Sequence, residues 1–575
     1  EGIRPADRVL LLGENTPEWG LGYFGIQFAG ATAVPLESGI DAVRVMVLLR
    51  ASKAKVALLT AQARATLGRE LEEKIAAERL PVKVMALEEV TAAVGKGEKL
   101  PQIPHEHELS PRAAASLIYT SGTTGAPKGV LLSHEAFCRQ VRAIASLFPI
   151  GGDDRVLSVL PLHHGFEFSA GFLLPLYGGA TVTYMHETTA DSVRFGLDHV
   201  KPTAMIGVPA LFDAWQRKVR RQVRARGASA ERAYEALLTF HRGFRARTGL
   251  NLGPRLFPEI HKAFGGSMRF LVSGGAALSR DIAIEFDGLG IDIFEGYGMT
   301  EAGPVITSNR PGELRTPGSV GPPIPEVVVK VRDPDGEGVG EILCRSPSVF
   351  SAYDQDPDLT ARTLVDGWLH TGDLGRLDEH GHLHIVGRLK DAIVDGSGNT
   401  VHPDEVEDLY SGCPDVAELA VAGVALRGDQ HEVVAALVVP RTDVEGGADG
   451  ARERIKEFVR VQGEQVPFSK RVKVLQFTTR PLPRTPTRKV KRQDVGRMLA
   501  EMSRVAGDRG GNTRRVRRPG ARGWNVGQVF EEVAGVEASR VVPEASMAQD
   551  LGLDSISLAE VALALSEQFG KPAPQ

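Results

Sequence analysis

The segment from Tyr119 to Gly129 has the composition of a loop that binds phosphate. It reads YTSGTTGAPKG. Hydroxyl and backbone N–H groups donate hydrogen bonds, glycine lets the backbone approach an anion closely, and lysine adds a positive charge. These groups come from Thr120, Ser121, Gly122, Thr123, Thr124, Gly125 and Lys128. The segment therefore predicts a site for a phosphate-bearing ligand.

The lysine of this loop does not belong to a Walker A pattern. That pattern places lysine between a glycine and a serine or threonine. Here Pro127 precedes Lys128 and Gly129 follows it. A strand is predicted over Ala115–Tyr119 before the loop, and a helix is predicted from about Ser133. The phosphate loop is therefore of another kind.

Two later segments carry side chains that suit a nucleotide and a metal ion. Glu295–Glu301 reads EGYGMTE, and it offers an aromatic face for a purine and a hard carboxylate for Mg²⁺. Asp366–Asp373 reads DGWLHTGD and ends in a carboxylate, which accepts the two hydrogen bonds of a ribose diol. Each segment alone is also compatible with a polar turn. Their order after the phosphate loop favours a nucleotide site.

In this order the segments resemble the signature sequences of the adenylate-forming superfamily, which includes acyl-CoA synthetases, luciferases and the adenylation domains of peptide synthetases. The resemblance extends from the phosphate loop to about Ala500. It implies that ATP and Mg²⁺ are needed. A carboxylate would attack the α-phosphorus to give an acyl-adenylate and pyrophosphate, and a thiol would then displace AMP to form a thioester.

The resemblance assigns roles to matching residues of the large domain. Tyr297 would stack on adenine, Thr300 would contact the α-phosphate, and Glu301 would hold Mg²⁺. Asp373 would bind the ribose. The loops expected around adenine, the acyl carboxylate and the metal are matched by Gly274, Gly275, Ala276, Glu295, Gly296 and Gly298.

The resemblance continues into a smaller C-terminal domain. In the GRLKD segment, Arg388 would contact ribose and Lys390 would lie at a hinge between the domains. In the PRTPTRKVKR segment, Lys489 matches the catalytic lysine, which would stabilise charge at the α-phosphate during adenylation. The family usually has glycine before this lysine, whereas Arg488 stands there in this chain. Lys491 is therefore the alternative cation.

The segment Leu160–Phe168 (LPLHHGFEF) bears on the identity of the carboxylic acid substrate. By the resemblance, His164 would line the entrance of the acyl pocket. An amino-acid substrate usually requires a carboxylate to pair with its ammonium, and Glu167 is offset from that place. The long helical stretch after Pro209, followed by Leu250–Gly275, resembles bacterial long-chain fatty acyl-CoA synthetases. The resemblance therefore implies a fatty acid as the substrate.

The sequence is also compatible with other functions and with one other ligand site. A second hypothesis is that the chain is an amino-acid or aryl-acid adenylation module of a peptide- or polyketide-synthetase-like assembly line. A third hypothesis is a nucleotide-binding module without catalytic activity. The joint presence of the residues that match the family's site argues against it: Thr300, Glu301, Asp373, Arg388 and Lys489. Three histidines on one predicted strand face are a candidate metal site that the resemblance does not require: His380, His382 and His384.

The last residues resemble the attachment site of an acyl or peptidyl carrier protein. Asp550–Glu560 reads DLGLDSISLAE, and Ser555 would carry 4′-phosphopantetheine added by a phosphopantetheinyl transferase. The thiol of that arm is the expected acceptor of the acyl group, and free CoA is the competing acceptor. Only about the first half of such a domain is present, so the protein is expected to continue beyond Gln575.

The chain begins at Glu1 without a methionine, so the large domain is expected to be truncated at its N-terminus.

The elements that position these residues are predicted from the alternation of apolar runs and helical stretches. Short runs such as Arg8–Leu12 and Val156–Leu160 alternate with helix-like segments, which indicates an α/β fold with parallel sheets covered by helices. We predict a large domain over residues 1–386 and a small α+β domain, mobile by the resemblance, over residues 387–500. An Arg/Gly-rich linker over 501–524 and a partial helical carrier domain over 525–575 follow.

Composition excludes several classes of protein. The chain has 575 residues and a net charge of −4, which argues against a nucleic-acid binder. Its three cysteines are far apart and fit neither a disulfide framework nor a zinc site, so a reducing cytoplasm is expected. Glycine and proline interrupt the apolar stretches Trp19–Leu36 and Phe168–Met185, which predicts buried core and not membrane spans. Peripheral association with the inner face of a membrane is compatible with a fatty-acid substrate.

Overall fold

The computed structural model describes residues 3–89, 110–120, 127–185, 190–312, 316–394, 400–410, 412–425, 432–484 and 490–510, and the single residues 526 and 541. Two compact units are present. The first ends at Val386 and the second begins at Gly387.

The strands of the first unit are short, and many are fully buried. In chain order they are β1 (Arg8–Leu12), β2 (Thr32–Leu36), β3 (Val56–Leu59), β4 (Lys83–Ala86), β5 (Ala114–Thr120), β6 (Lys128–Ser133), β7 (Arg155–Ser158), β8 (Thr181–Tyr184), β9 (Ala204–Gly207), β10 (Phe270–Ser273), β11 (Asp292–Gly298), β12 (Val305–Ser308), β13 (Val328–Arg332), β14 (Gly340–Arg345), β15 (Ala352–Tyr353), β16 (Leu364–Val365), β17 (Trp368–Leu377) and β18 (Leu383–Arg388), whose last residues cross into the second unit. Buried aliphatic runs without alternation are typical of parallel strands covered on both faces.

Helices separate these strands. They are α1 (Pro17–Phe28), α2 (Ala42–Ser52), α3 (Ala61–Ala63), α4 (Arg69–Ala77), α5 (His134–Leu147), α6 (Leu174–Gly178), α7 (Ala190–Val200), α8 (Pro209–Ala225), α9 (Ala228–Thr248), α10 (Gly253–Leu256), α11 (Pro258–Ala263), α12 (Arg280–Leu289) and α13 (Pro357–Thr363). Two π-helical turns, Arg64–Gly68 and Glu167–Leu173, and a 3-10 turn, Thr300–Ala302, complete the unit.

The strands form three sheets. The first has the order β15-β6-β5-β2-β1-β3-β4, and the second has the order β12-β11-β10-β9-β7-β8. Most pairs in both are parallel, with antiparallel strands β6, β15 and β12 at one end. The third sheet, β13-β14-β17-β16, is antiparallel. The predicted α/β fold with parallel sheets and covering helices is confirmed.

The two apolar stretches that resemble membrane spans are ordinary core elements. Residues 19–36 form most of α1 and all of β2, and residues 168–185 form a π-helical turn, α6 and β8. Trp19, Tyr23, Phe168 and Phe172 pack together in one buried cluster. Among the described residues, no helix is both long and apolar enough to cross a membrane.

The second unit is smaller. Its strands are β19 (Ile393–Val394), β20 (Thr400–Val401), β21 (Val416–Ala425), β22 (Glu432–Pro440) and β23 (Val474–Phe477), and its helices are α14 (Pro403–Tyr410), α15 (Gly447–Gln465) and α16 (Arg492–Gly510). Strands β21, β22 and β23 form one sheet, and β19 pairs with β20. The 3-10 turn Leu389–Asp391 precedes β19.

Candidate functional site

The ends of the predicted phosphate loop are held by an antiparallel pair of strands. Thr120, the last residue of β5, pairs with Lys128, the first residue of β6. Ser133, the last residue of β6, caps α5, because its Oγ accepts a hydrogen bond from the backbone N–H of Ala136 at 3.1 Å. The remaining predicted loop residues lie outside the described part of the chain: Ser121, Gly122, Thr123, Thr124 and Gly125.

The turn that carries His164 lies against two other predicted segments. A Cβ atom on Gly274 would lie 2.8 Å from the ring of Phe166, so only glycine fits there. Gly275 has a φ of +85°, which glycine adopts readily. On its other side the turn approaches the segment after Glu301, since a Cβ on Gly165 would lie 3.6 Å from Pro304. The structure therefore brings together the histidine turn, the Gly274–Ala276 loop and the Thr300–Glu301 segment.

Tyr297 and Asp373 form a direct pair. The Tyr297 hydroxyl donates a hydrogen bond to Oδ2 of Asp373 at 2.7 Å, and the backbone N–H of Asp373 donates to Thr371 Oγ1 at 3.1 Å. Burial and the neighbouring Asp373 carboxylate raise the pKa of Tyr297 well above its usual value, so the hydroxyl remains a donor. The residues predicted to contact adenine and ribose are thus joined across β11 and β17.

Glu301 is held by a tyrosine that the sequence motifs did not identify. Its carboxylate is 8% exposed, and Oε1 accepts a hydrogen bond from the Tyr353 hydroxyl at 2.8 Å. Burial and the Glu301 carboxylate raise the pKa of Tyr353. The Nζ atom of Lys128 lies 5.8 Å from the centre of the Tyr353 ring. Tyr353 therefore links the cation at the end of the phosphate loop to the predicted metal ligand.

The carboxyl group of Glu295 faces a loop. Burial raises the pKa of Glu295 to about 8, and the backbone N–H of Leu278 donates a hydrogen bond to its carboxyl group. Leu278 follows the Gly274–Ala276 loop, so Glu295 fixes the end of that loop. Gly296 and Gly298 continue β11 beside it. Ser273 pairs with Glu295 across β10 and β11, which places the loop and the EGYGMTE segment at the same sheet edge.

A second buried network supports the histidine turn. The amide of Asn15 donates to the Leu160 carbonyl at 2.7 Å and to Ser158 Oγ at 3.3 Å, and it accepts from the Leu162 N–H at 3.0 Å. Ser158 Oγ in turn donates to Oε1 of Glu167 at 2.6 Å. Glu167 is fully buried, and this burial raises its pKa to about 8, so it is neutral at pH 7. The rings of His163 and His164 lie 4.1 Å apart at the end of this turn.

The three alternating histidines belong to a turn held by Asp378. The Asp378 carboxylate accepts hydrogen bonds from the backbone N–H groups of His380 and His382 and from the His384 ring. Those bonds lower the pKa of Asp378 to about 2. Within the described ranges, no three histidine, cysteine or carboxylate side chains form a group that fits a metal ion.

The remaining predicted residues belong to the second unit and beyond. Arg388 ends β18, and Lys390 lies in the 3-10 turn Leu389–Asp391. Lys489 and Ser555 lie outside the described residues. Tyr353 and Asn15 were missed because no motif contains them. Both act through partners more than fifty residues away in sequence, Glu301 and Ser158 respectively.

Comparisons with known proteins identify three regions of the chain. Sequence models described as AMP-binding enzyme, AMP-binding enzyme C-terminal domain and phosphopantetheine attachment site match residues 1–354, 405–489 and 526–575 respectively. A feruloyl-CoA synthase from Amycolatopsis sp is 31% identical over 86% of this chain and 89% of that protein. A long-chain fatty acid–CoA ligase from Mycobacterium tuberculosis is 29% identical over 74% of this chain and 72% of that protein. The ATP-bound structure of MatB from Rhodopseudomonas palustris superposes with a TM-score of 0.69 at 26% identity, covering 87% of this chain and 90% of that one.

The Glu301–Tyr353 pair generates a first prediction. Tyr353→Phe removes the hydroxyl that fixes Glu301 but keeps the ring near Lys128. Loss of a hydrogen bond to a charged group costs about 1.5–3 kcal/mol, so the Mg²⁺ concentration that half-saturates ATP binding should rise about tenfold or more. Calorimetric titration of ATP at several Mg²⁺ concentrations measures this, with Tyr177→Phe, whose ring is 63% exposed, as the control. An unchanged Mg²⁺ dependence would remove Glu301 from the metal site.

Glu167 generates a second prediction. In the folded chain its carboxyl keeps a proton up to about pH 8, whereas the unfolded chain releases it near the ordinary pKa of 4.5. The free energy of unfolding should therefore fall between these values, by up to about 1.4 kcal/mol per pH unit. Glu167→Gln mimics the neutral acid and should abolish this fall, so it should be more stable than the wild type at pH 9. Urea unfolding from pH 5 to 9 measures the effect.

The control for this experiment is Glu259→Gln, at a side chain that is 78% exposed. Its unfolding free energy should follow the wild-type pH profile. Parallel profiles for Glu167→Gln and the wild type would show that Glu167 is ionised in the folded protein.

Proposed function

The chain belongs to the AMP-binding enzyme family, as its motifs predicted, and from that premise we propose that it activates a long-chain fatty acid with ATP and transfers the acyl group to a thiol. The observation that carries the first step is the paired arrangement of Tyr297 with Asp373 and of Tyr353 with Glu301. These pairs fix an aromatic face, a ribose-type acceptor and a hard carboxylate around the segments that the family uses for ATP.

The proposed reaction has two steps. A carboxylate oxygen of the acid attacks the α-phosphorus of ATP, the bond to the leaving pyrophosphate breaks, and acyl-AMP forms. A thiolate then attacks the acyl carbon, a thioester forms, and AMP leaves. The first step needs the partners held in line and water excluded, because the attacking carboxylate is a weak nucleophile and the phosphates repel it.

The described residues have defined parts in the first step. The ring of Tyr297 offers a face to adenine while its hydroxyl orients Asp373 toward the ribose. The Gly274–Ala276 loop, fixed by Glu295 through Leu278, lies beside the turn of His164, where the acid would enter. Lys128 would contact the pyrophosphate as it leaves.

The residues around Glu301 fit a magnesium ion. Carboxylate oxygen is the donor that Mg²⁺ prefers, and Tyr353 holds Oε1 of the buried Glu301 in place. Glu301 would hold the ion, and Thr300, the preceding residue, would contact the α-phosphate. When bound, Mg²⁺ supplies positive charge to the phosphate oxygens.

The fatty-acid substrate is supported by the likeness to the mycobacterial long-chain fatty acid–CoA ligase and by the long helical segment after Pro209, which folds as α8 and α9. The buried, neutral Glu167 argues against an amino-acid substrate, since its carboxyl group is bonded to Ser158 and carries no charge for an ammonium. A second candidate is an aryl acid. It is favoured by the 31% identity to feruloyl-CoA synthase over most of both chains.

A third prediction separates these substrates. ATP–pyrophosphate exchange should be fastest with long-chain fatty acids, and at least about tenfold slower with ferulate, indoleacetate and phenylalanine, since one methylene group of fit is worth about 10–200-fold. Asp373→Asn, which weakens the ribose acceptor, should lower exchange with every acid by a similar factor. Faster exchange with ferulate would select the aryl acid. ATP binding without exchange for any acid would show a nucleotide-binding protein without activity.

The acceptor thiol is proposed to belong to the same chain. Residues 526–575 match a phosphopantetheine attachment site, and Ser555 lies in the DLGLDSISLAE segment that resembles the attachment site of carrier proteins. A covalently tethered arm has a high effective concentration, on the order of millimolar for a short flexible linker. That tether favours Ser555 over free CoA as the source of the thiol.

A fourth prediction tests this acceptor. In the full-length protein converted to its holo form by a phosphopantetheinyl transferase, labelled fatty acid and ATP should label the protein, and hydroxylamine should release the label because it cleaves thioesters. Ser555→Ala should lose the label, whereas Ser557→Ala, two residues away, should keep it. Labelling that persists in Ser555→Ala would exclude this arm. Product formation only with added CoA would identify CoA as the acceptor.

A further inference from the structure

Arg492 is the centre of a partly buried cluster of charges in the second unit. It is the first residue of α16, and its side chain is 14% exposed. The guanidinium donates hydrogen bonds to Asp404 and Glu407 and to the Val421 carbonyl, the last at 2.8 Å. Its Nε atom lies 4.0 Å from Oδ2 of Asp391. One cation therefore faces three carboxylates.

The partners of Arg492 come from three different elements. Asp391 ends the 3-10 turn that holds Lys390. Asp404 and Glu407 lie on α14, and Val421 lies in the middle of β21. Glu407 also accepts a hydrogen bond from the Val421 N–H at 2.7 Å, which closes the connection between helix and sheet. Burial raises the pKa of Glu407 to about 7, although Arg492 opposes this shift.

The residues on either side of Lys489 are anchored as well. Arg484 and Val490 form an antiparallel bridge, and the Lys491 N–H donates to the Pro483 carbonyl at 2.8 Å. The Arg484 guanidinium also bonds Glu418 on β21 at 2.6 Å. Arg484 and Arg492, on either side of Lys489 in the sequence, thus both form a hydrogen bond with β21.

We propose that Arg492 is a positioning residue for adenylation, which holds the end of the Lys489 segment in a fixed arrangement with the Lys390 turn and helix α14. Arg492 lies three positions after Lys489, so the anchored guanidinium limits where that lysine can reach. Lysine in its place is a point charge and cannot bond several carboxylates in one plane. The inference rests on the proposed function, which assigns Lys489 to the first half-reaction.

A fifth prediction tests this role with the two half-reactions of the full-length holo protein. Arg492→Lys should lower ATP–pyrophosphate exchange about 10–100-fold, whereas thioester formation from synthetic acyl-AMP should change less than about twofold. Lys489→Ala sets the scale, with an expected loss in exchange of about 10²–10³, the effect of removing one charge-stabilising donor. Arg497→Lys is the matched control, since Arg497 lies on the same helix with 75% of its side chain exposed, and it should leave both steps unchanged.

The outcomes separate the inference from the proposed function. Unchanged exchange in Arg492→Lys, or equal loss in both half-reactions at an unchanged melting temperature, would refute the positioning role. Where Arg492→Lys does not fold, Asp391→Asn tests the same role, because it removes only the link to the Lys390 turn, and it should lower exchange selectively. A wild-type protein without exchange for any acid would instead refute the proposed function.

Discussion

Buried carboxyl groups, each fixed by its own hydrogen-bond donor, determine the geometry of the candidate site. Asp373 and Glu301 each receive a tyrosine hydroxyl whose raised pKa keeps it protonated. Glu295 receives a backbone N–H, and Glu167 receives a serine hydroxyl. A buried carboxyl group without a donor would carry a desolvation cost of roughly 1–3 kcal/mol or more. The donors therefore stabilise the fold and orient the two acceptors, Asp373 and Glu301, that are proposed for the nucleotide and its metal ion.

Two of these four carboxyl groups, those of Glu167 and Glu295, have a raised pKa. Burial raises the pKa values of Glu167 and Glu295 to about 8, so these two act as neutral parts of the scaffold at pH 7. Glu301 and Asp373 each accept a hydrogen bond from a tyrosine hydroxyl, and they are the acceptors proposed for the metal ion and the ribose. Four carboxylates of like charge in one region would repel one another. Neutral scaffold acids avoid this repulsion while they still hold the loops around His164 and Gly274.

The order of motifs was sufficient to predict the family and the α/β class, because each motif is local and its chemistry follows from a few adjacent residues. The supporting contacts were not predictable in this way. Tyr353 reaches Glu301 only because the two-residue strand β15 pairs with β6, and Asn15 reaches Ser158 across 143 positions of sequence. Such pairs depend on sheet order, which periodicity in one sequence does not specify.

The cluster around Arg492 keeps three acids paired at a point three residues along the chain from Lys489, the lysine proposed for adenylation. Asp391, Asp404 and Glu407 would attract any nearby ammonium strongly if they were unpaired, since interactions between charges strengthen in a region of low dielectric constant. Arg492 occupies them, and the raised pKa of Glu407 lowers the negative charge that remains near pH 7. A guanidinium that is always charged can hold these acids without proton exchange. Under the proposed function, acids that are already bonded to Arg492 compete less with a phosphate for the charge of Lys489.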